Sequence, residues 1–280
     1  MLTVLDAISA AGRRTGQNDD CVGWTPTSAW VLDGATDIHG DDPLIPGAAS
    51  DAAWFSQSLN RALYAHAPNA TDPTAWFIAA AKDASDAFKA TLRRPLKARW
   101  EWPVCAGFGV FEAGEDLILV DVGDCAAFAR NAVGETVDYS ARETGKDDEH
   151  AEAAKVALPA DGEDRYKNPD ARHWLKKDRS DHNTADGYVA FGLDADWLAQ
   201  ARVQRIAKAG VSHLLLMSDG FSVIQQVFGV YSPGETIEAC LQKGCGAVLQ
   251  EIRAIEEAGG AGLDRWKKSD DASALLIRVD

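Results

Sequence analysis

The sequence has no apolar run that approaches the roughly 18 residues needed to span a bilayer as a helix. The segment Met1–Ala11 lacks the basic region, apolar core and cleavage site of a signal peptide. Only five cysteines occur, an odd number at irregular spacing, so no disulfide framework is implied. We therefore expect a protein of the reducing cytoplasm.

Basic residues are also scarce, since 28 Lys and Arg face 43 Asp and Glu and give a formal net charge of -15. Such a surface repels nucleic acid and anionic lipid, so we expect neither a nucleic acid nor a membrane as a partner. Clustered carboxylates can also serve as cation ligands, although most of them are expected to lie on a solvated face.

Several catalytic motifs are missing. No cysteine has an arginine six positions later, because Arg130 comes one residue too early after Cys125, and this excludes a cysteine-phosphatase signature. The phosphate-binding pattern G-x-x-x-x-G-K-S/T is absent, and no pairing of histidines suggests a zinc site. Residues 107–109 (Gly-Phe-Gly) lack a third glycine and predict a strand kink instead. Residues 194–196 resemble the start of an aspartyl-phosphate motif, but they lead into a helical pattern and predict a helix cap.

The pattern of apolar and polar residues along the chain predicts strands and blocks of consecutive helices. Strands are expected at residues 2–11, 21–24, 29–32, 104–111, 117–122, 125–130, 212–217 and 272–279. Two consecutive helices are expected after Ser50 and after Asp72-Pro73, the second with an apolar stripe of Trp76, Phe77, Ala80, Ala84, Ala87 and Phe88. Further helices are expected over residues 194–208 and about 233–258.

A polar stretch from about 138 to 187 predicts surface loops with short helices. No internal repeat or linker interrupts the 280 residues, so we expect one domain. Strands outnumber those of a βαβ alternation, and three of them, over residues 104–130, suggest a meander. This pattern predicts an α+β layered sandwich of antiparallel sheets covered by helices.

Acidic residues recur at the ends of the predicted strands. The clusters are Asn18-Asp19-Asp20, Asp33-Gly34, Gly123-Asp124, Ser218-Asp219-Gly220 and Asp270-Asp271. A carboxylate at the end of a buried strand is held rigidly, and a following glycine lets the backbone turn and a ligand approach. If several such ends converge, their carboxylates repel one another unless cations neutralise them, and hard divalent cations prefer these oxygen ligands. A single Asp-Gly usually marks only a turn.

The ordered set of five clusters resembles the motif series of the metal-dependent protein phosphatase 2C family over nearly the whole chain. The resemblance implies that family's four-layer α-β-β-α sandwich, with two central antiparallel sheets and two divalent cations, Mn²⁺ or Mg²⁺, between them. Carried over by position, the implied metal ligands are Asp20, Asp33, the Gly34 carbonyl, Asp219 and Asp270, with Asp33 bridging the two ions. Asp19 would bind through water, and Asp124 stands where bacterial members hold a third, weaker metal.

The chain departs from the family pattern at four places. The phosphate-gripping arginine is expected five residues before Asp20, where Thr15 stands, so Arg14 or Arg13 would take that role after a short shift. Asp-Gly-X-Gly-Gly is replaced by residues 33–37, Asp-Gly-Ala-Thr-Asp. Asp-Asn is replaced by Asp270-Asp271, and Cys125 replaces a serine. The resemblance is therefore to a divergent bacterial-type member.

The resemblance implies a serine/threonine phosphoprotein phosphatase that acts on a phosphorylated protein substrate. A water activated between the two cations would attack phosphorus, with Asp33, Asp219 and Arg14 as the catalytic residues. The alternative is a catalytically weak relative that serves as a phosphopeptide-binding or regulatory module, which the shifted arginine and the altered Asp33 loop favour. His39, the histidine nearest that loop in sequence, is expected at the surface.

Overall fold

The strands form two antiparallel sheets of five strands each. The computed structural model describes residues 1–12, 17–39, 43–140, 169–185, 187–259 and 268–280, without the side chains of residues 170 and 171. Sheet A has the order β1-β10-β9-β6-β7, with β1 at Leu2–Ala10, β10 at Ala272–Val279, β9 at His213–Met217, β6 at Ala126–Arg130 and β7 at Thr136–Asp138. Sheet B has the order β2-β3-β4-β5-β8, with β2 at Cys21–Trp24, β3 at Ser28–Gly34, β4 at Cys105–Ala113, β5 at Asp116–Val122 and β8 at Arg202–Ala207.

Helices cover the outer face of each sheet. The α-helices are α1 at Asp51–Ala65, α2 at Ala75–Thr91, α3 at Pro169–Asp181, α4 at Asp219–Gln226, α5 at Pro233–Lys243 and α6 at Cys245–Glu257. Short 3₁₀ turns occupy Arg99–Glu101, Ala195–Gln200 and Lys208–Gly210. The Ser50 side chain accepts a hydrogen bond from the Ala53 N–H and caps α1 as the sequence predicts.

Three apolar layers hold the sheets and helices together. Helices α1 and α2 pack on sheet B around Trp30, Phe77 and Phe111, while α4, α5 and α6 pack on sheet A around Phe128 and Phe221. The layer between the sheets is built from alternate residues of the strands: Val31, Phe108, Val110, Leu119, Leu216 and Leu275. Because side chains alternate along a strand, the position two residues after Val31, which is Asp33, faces the same space between the sheets. The predicted α-β-β-α sandwich is confirmed.

Several local predictions are wrong. Strand β6 does not continue a meander with β4 and β5, because it crosses to sheet A and pairs with β9. Residues 202–207 form edge strand β8 instead of a helix, paired with β5. The three-residue spacing of Val203 and Ile206 also fits a helical period, and for this reason the sequence predicted a helix there. The helix expected over residues 233–258 is divided at Gly244, whose φ of 86° is outside the helical range.

Smaller corrections concern α2, β4 and the polar stretch. Helix α2 begins at Ala75, two residues after Pro73, and Ala87 of the predicted stripe is exposed. Strand β4 passes through residues 107–109 without a break in register, so the two glycines do not kink it. Helix α3 lies within the polar stretch, whereas residues 141–168 lie outside the described residues. Among the helices described, none is both long and apolar enough to cross a membrane.

Gly109 makes room for the aromatic layer of α2. A Cβ atom at this position would lie 2.6 Å from Cζ of Phe77, which is fully buried. We expect Gly109→Ala to destabilise the fold by about 1–3 kcal/mol through overpacking. Urea unfolding measures the loss, and Gly210→Ala is the control because its added Cβ meets nothing within 4 Å. If Gly109→Ala and wild type had equal urea midpoints, α2 would be able to shift and accommodate the added Cβ atom without a loss of stability.

Candidate metal centre

Five segments of the chain bring carboxylates to one end of the two sheets. Met217, at the end of β9, pairs with Ala126 at the start of β6 and with Ala274 near the start of β10, so these strand ends share one edge. The carboxylates come from just before β2, the end of β3, the β5–β6 connection, the start of α4 and the residue pair before β10: Asp20, Asp33, Asp124, Asp219 and Asp270. The backbone N–H of Asp219 donates to Oδ2 of Asp33 at 3.4 Å and links the two sheets directly.

These carboxylates raise one another's pKa values. Burial, followed by the charges of Asp20 and Asp219, raises the pKa of Asp33 well above its ordinary value. Burial and the neighbouring aspartates do the same to Asp20, whose pKa the nearby Ser218 side chain lowers only in part. Crowding by protein atoms and the charge of Asp219 raise the pKa of Asp124 to about 7, although this side chain stays exposed and water moderates the effect. The cluster therefore carries excess negative charge.

Asp20 shows that the cluster lacks a positive partner. Its side chain is buried, and neither carboxylate oxygen has hydrogen-bonding geometry to any described residue. A buried, unpaired carboxylate costs several kcal/mol unless it is protonated or paired. Carboxylate oxygens are the ligands that Mg²⁺ and Mn²⁺ prefer, so the residues present fit divalent cations. Their role as metal ligands remains a prediction.

The aspartate side chains of the cluster are widely spaced. Among the described residues, no three of these aspartates have ligand atoms that all lie within 4.8 Å of one another. This spacing favours cations that keep several waters in their coordination shell, as Mg²⁺ does.

Two of the Asp-Gly motifs are required by close packing of the backbone. A Cβ atom at Gly34 would lie 2.5 Å from the carbonyl oxygen of Asp19. A Cβ atom at Gly220 would overlap the carbonyl oxygen of Asp271. The two glycines therefore allow the segments that carry Asp19, Asp33 and Asp219 to meet, which the motif pattern alone did not show.

Asp271 holds the N-terminal loop to β10. Its two carboxylate oxygens accept the N–H groups of Gly12 at 2.8 Å and Asp19 at 2.7 Å. An asparagine, as in the family pattern, offers only one acceptor oxygen and could not bind both donors in this way. Sequence reasoning missed this role, and Arg13 and Arg14, which lie between the two anchored residues, fall outside the described residues.

Hydroxyl groups line the base of the cluster. Ser50 donates to Oδ1 of Asp19 at 2.5 Å and so joins the cap of α1 to the site. Ser273 donates to the Ser9 hydroxyl at 2.8 Å, and the Ser273 N–H donates to the Ser218 hydroxyl at 2.9 Å. Both Ser218 and Ser273 are fully buried. This network fixes the ends of β1, β9 and β10 beneath the carboxylates.

A second group of possible ligands consists of Asp37, His39 and Asp51, whose ligand atoms lie within 4.8 Å of one another. His39 Nε2 lies 2.9 Å from Oδ2 of Asp51, and only 5% of the His39 side chain is exposed, so the expected surface position is wrong. Asp37 accepts the N–H groups of Asp51 and Ala52. Asp51 accepts two more backbone N–H groups.

Burial works against a charged imidazole, yet Asp51 and Asp37 outweigh it and raise the pKa of His39. Burial also opposes charge on Asp51, but His39 and the two backbone donors lower its pKa overall. Four backbone N–H groups already occupy the two carboxylates, so an ion pair that caps α1 accounts for this group without a metal.

The structure also shows the surroundings of two other residues discussed in the sequence analysis, Cys125 and Asp194. Cys125 is fully buried between the sheets, where burial and the charge of Asp33 raise its pKa, so it is no nucleophile. Asp194 precedes a 3₁₀ turn without capping it through its side chain. It instead pairs with Arg99 at 2.5 Å and accepts a hydrogen bond from Asn183.

Comparisons with solved structures identify the fold. The serine/threonine phosphatase PstP/Ppp of Mycobacterium tuberculosis matches 100% of this chain and 99% of its own, at 17% identity and a TM-score of 0.57. The S. agalactiae serine/threonine phosphatase matches 100% of both chains at 14% identity and a TM-score of 0.56. Stp1 of Staphylococcus aureus matches 99% of this chain and 96% of its own at 11% identity and a TM-score of 0.57.

The PstP catalytic domain has also been solved with two manganese ions. No protein-family model and no curated protein match the sequence. The chain therefore has, over its full length and at low sequence identity, the fold of the bacterial protein phosphatase 2C-type serine/threonine phosphatases.

The raised pKa of Asp124 predicts a pH dependence of stability in EDTA. Between the ordinary carboxyl value near ~4 and about 7, the folded protein binds a proton that the unfolded chain has released. Its stability therefore falls as pH rises through this window. Asp124→Asn removes that contribution, so its melting temperature should rise relative to wild type between pH 5 and pH 8.

Thermal melts in EDTA at these two pH values test this expectation. The exposed Asp86 on α2 supplies the control variant Asp86→Asn. If the melting temperatures of Asp124→Asn and wild type differ by the same amount at both pH values, the Asp124 carboxyl titrates normally.

Proposed function

We propose that this protein is a metal-dependent phosphatase that hydrolyses phosphoserine and phosphothreonine monoesters. The observation that carries the proposal is the cluster of mutually repelling carboxylates at one end of the two sheets. It lies in a fold shared with bacterial serine/threonine phosphatases. No basic side chain is among the groups that perturb Asp20 or Asp33 most strongly, so the cluster suits cations from solution.

Each proposed ligand has a distinct task. Asp33, the penultimate residue of β3, faces the space between the sheets and would share two cations, Mn²⁺ or Mg²⁺. Asp20, Asp219, Asp270 and the Gly34 carbonyl would complete the two sites together with several waters, which the wide spacing of the aspartates requires. Asp19, which accepts the Ser50 hydroxyl, would orient a water ligand, and Asp124 would hold a weaker third cation at the exposed side of the cluster.

When bound, two such cations lower the pKa of a water and offset the negative charge of a phosphoryl group. The chain supplies rigid positions for this chemistry, since the strand ends fix the carboxylates before any ligand arrives. Arg14 or Arg13 would bind the phosphate oxygens, and Asp271 anchors Gly12 and Asp19, the described residues on either side of them in sequence that it contacts.

The partner we propose is a phosphorylated protein, and we expect neither nucleic acid nor membrane to bind so acidic a chain. All five cysteines are free and buried, which agrees with a reducing, cytoplasmic location.

A second candidate function is a phosphopeptide-binding or regulatory module with weak catalysis. The open spacing of the aspartates favours it, because no three of them, among the described residues, approach closely enough to ligate one ion together. Hydrolysis of p-nitrophenyl phosphate with Mn²⁺ separates the two functions, since a binding module has no turnover to lose.

We expect Asp33→Asn to lower the turnover of p-nitrophenyl phosphate in Mn²⁺ by at least ~10²-fold, because the shared water would be misplaced. In EDTA the variant should melt no lower than wild type, since one of several repelling carboxylates is gone. EDTA should also abolish wild-type turnover.

Asp86→Asn, an exposed position on α2, controls for the loss of one acidic group. If Asp33→Asn melts far below wild type in EDTA and keeps its turnover, Asp33 is a structural turn residue. If wild type hydrolyses the ester fully in metal-free buffer, the two-metal proposal fails.

A further inference from the structure

Residues 35–39, which we call the Asp33 loop, directly follow the two proposed ligands Asp33 and Gly34. The loop begins with a hydrogen bond from the Ala35 N–H to the Val104 carbonyl at 2.9 Å. Three of its carbonyl groups, those of Ala35, Thr36 and Ile38, accept hydrogen bonds from a different part of the chain, helix α3. The sequence alone gave no sign of a contact between these two segments.

Two arginines of α3 bind the carbonyl groups of the Asp33 loop. Arg179 donates from Nη1 to the Ala35 carbonyl at 3.4 Å and from Nη2 to the Thr36 carbonyl at 3.3 Å. Arg172 donates from Nη2 to the Ile38 carbonyl at 3.0 Å. The two arginines are seven residues apart and so lie on one face of the helix. Arg179 is only 8% exposed, which is rare for an arginine and marks a built contact.

The opposite side of the Asp33 loop is fixed to α1. Asp37 accepts the N–H groups of Asp51 at 2.7 Å and Ala52 at 3.2 Å, and His39 contacts Asp51. Burial raises the pKa of Asp37, while these backbone donors and the charges of His39 and Arg179 oppose that rise. The loop is thus held between the N-terminus of α1 and the arginine face of α3.

Helix α3 is itself anchored to the 3₁₀ turn Arg99–Glu101, so it can act as a firm support. Nζ of Lys176 lies 4.0 Å from the ring centroid of Trp100. The residues after the helix are tied in as well, because Arg99 donates to the carbonyls of His182 and Asn183 at 2.9 and 3.2 Å. The side chain of Asn183 makes further hydrogen bonds to Ala190.

We infer that Arg179 is a positioning residue for the cation site: through the Ala35 and Thr36 carbonyls it holds the Gly34 carbonyl and the Asp33 carboxylate in place to bind a divalent cation. This inference rests on the proposed function. The two-glycine loop of the family pattern is absent here, and side chains of α3 and α1 fix the loop instead. Partners that support metal ligands from outside the coordination shell typically change metal affinity by about 10–100-fold when removed.

The test is Mn²⁺ binding, measured by water-proton relaxation and by calorimetry on the whole chain. Arg179→Ala should raise the Kd for Mn²⁺ by about tenfold or more. At saturating Mn²⁺ most of the turnover should return, because Arg179 is inferred to act on the site only through the Ala35 and Thr36 carbonyls. Arg179→Lys, which keeps the charge but loses the planar fork, should have an intermediate Kd. Lys177→Ala, at an exposed position of the same helix, should bind Mn²⁺ like wild type.

The outcomes separate this inference from the proposed function. If wild type binds no Mn²⁺, the proposed function fails. If wild type binds Mn²⁺ and folded Arg179→Ala has the same Kd, the positioning role of Arg179 is wrong while the proposed function stands. If Arg179→Ala does not fold, Arg179→Lys takes its place, and an unchanged Kd in that folded variant overturns the inference.

Discussion

Rigid strands hold several carboxylates close together, and the structure must accommodate their mutual repulsion. Asp20, Asp33 and Asp124 each have a raised pKa, because their neighbours are acidic and protein atoms crowd out water. A flexible chain would relieve such repulsion by moving the groups apart. Here the strands that carry them are fixed by the apolar layer between the sheets, so the charges must be met by protons or by cations.

Close backbone approaches make that cluster possible. Gly34 and Gly220 allow neighbouring segments to pass at distances that any side chain would prevent, and Asp271 ties the N-terminal loop to the edge of β10. The stability of the fold and the proposed activity are therefore opposed at this end of the sheets. The apolar layers elsewhere offset the cost of the unpaired charges, as is common where a site is formed before its ligand binds.

Helix α3 contacts the Asp33 loop, which lies next to the carboxylate cluster. Its arginines reach the Asp33 loop from a part of the chain more than a hundred residues further on, which contains none of the five acidic motifs. A helix that supports the proposed cation site could transmit the effects of whatever binds near it, because any such coupling is reciprocal. On the proposal made for Arg179, substitutions in α3 would alter metal affinity without changing a single ligand.

The sequence by itself determined the fold class and the order of the acidic motifs, because both depend on local patterns. Short apolar runs marked β3 and β10, helical spacing and Ser50 marked α1, and Asp-Gly pairs marked the strand ends. Other features depend on tertiary structure, because local sequence patterns contain no information about them. The crossing of β6 to sheet A and the edge strand β8 are set by which partner strand is available, and periodicity does not record that choice. Likewise, the burial of His39 and the contacts of Arg179 with the Asp33 loop depend on segments distant in sequence, which only packing brings together.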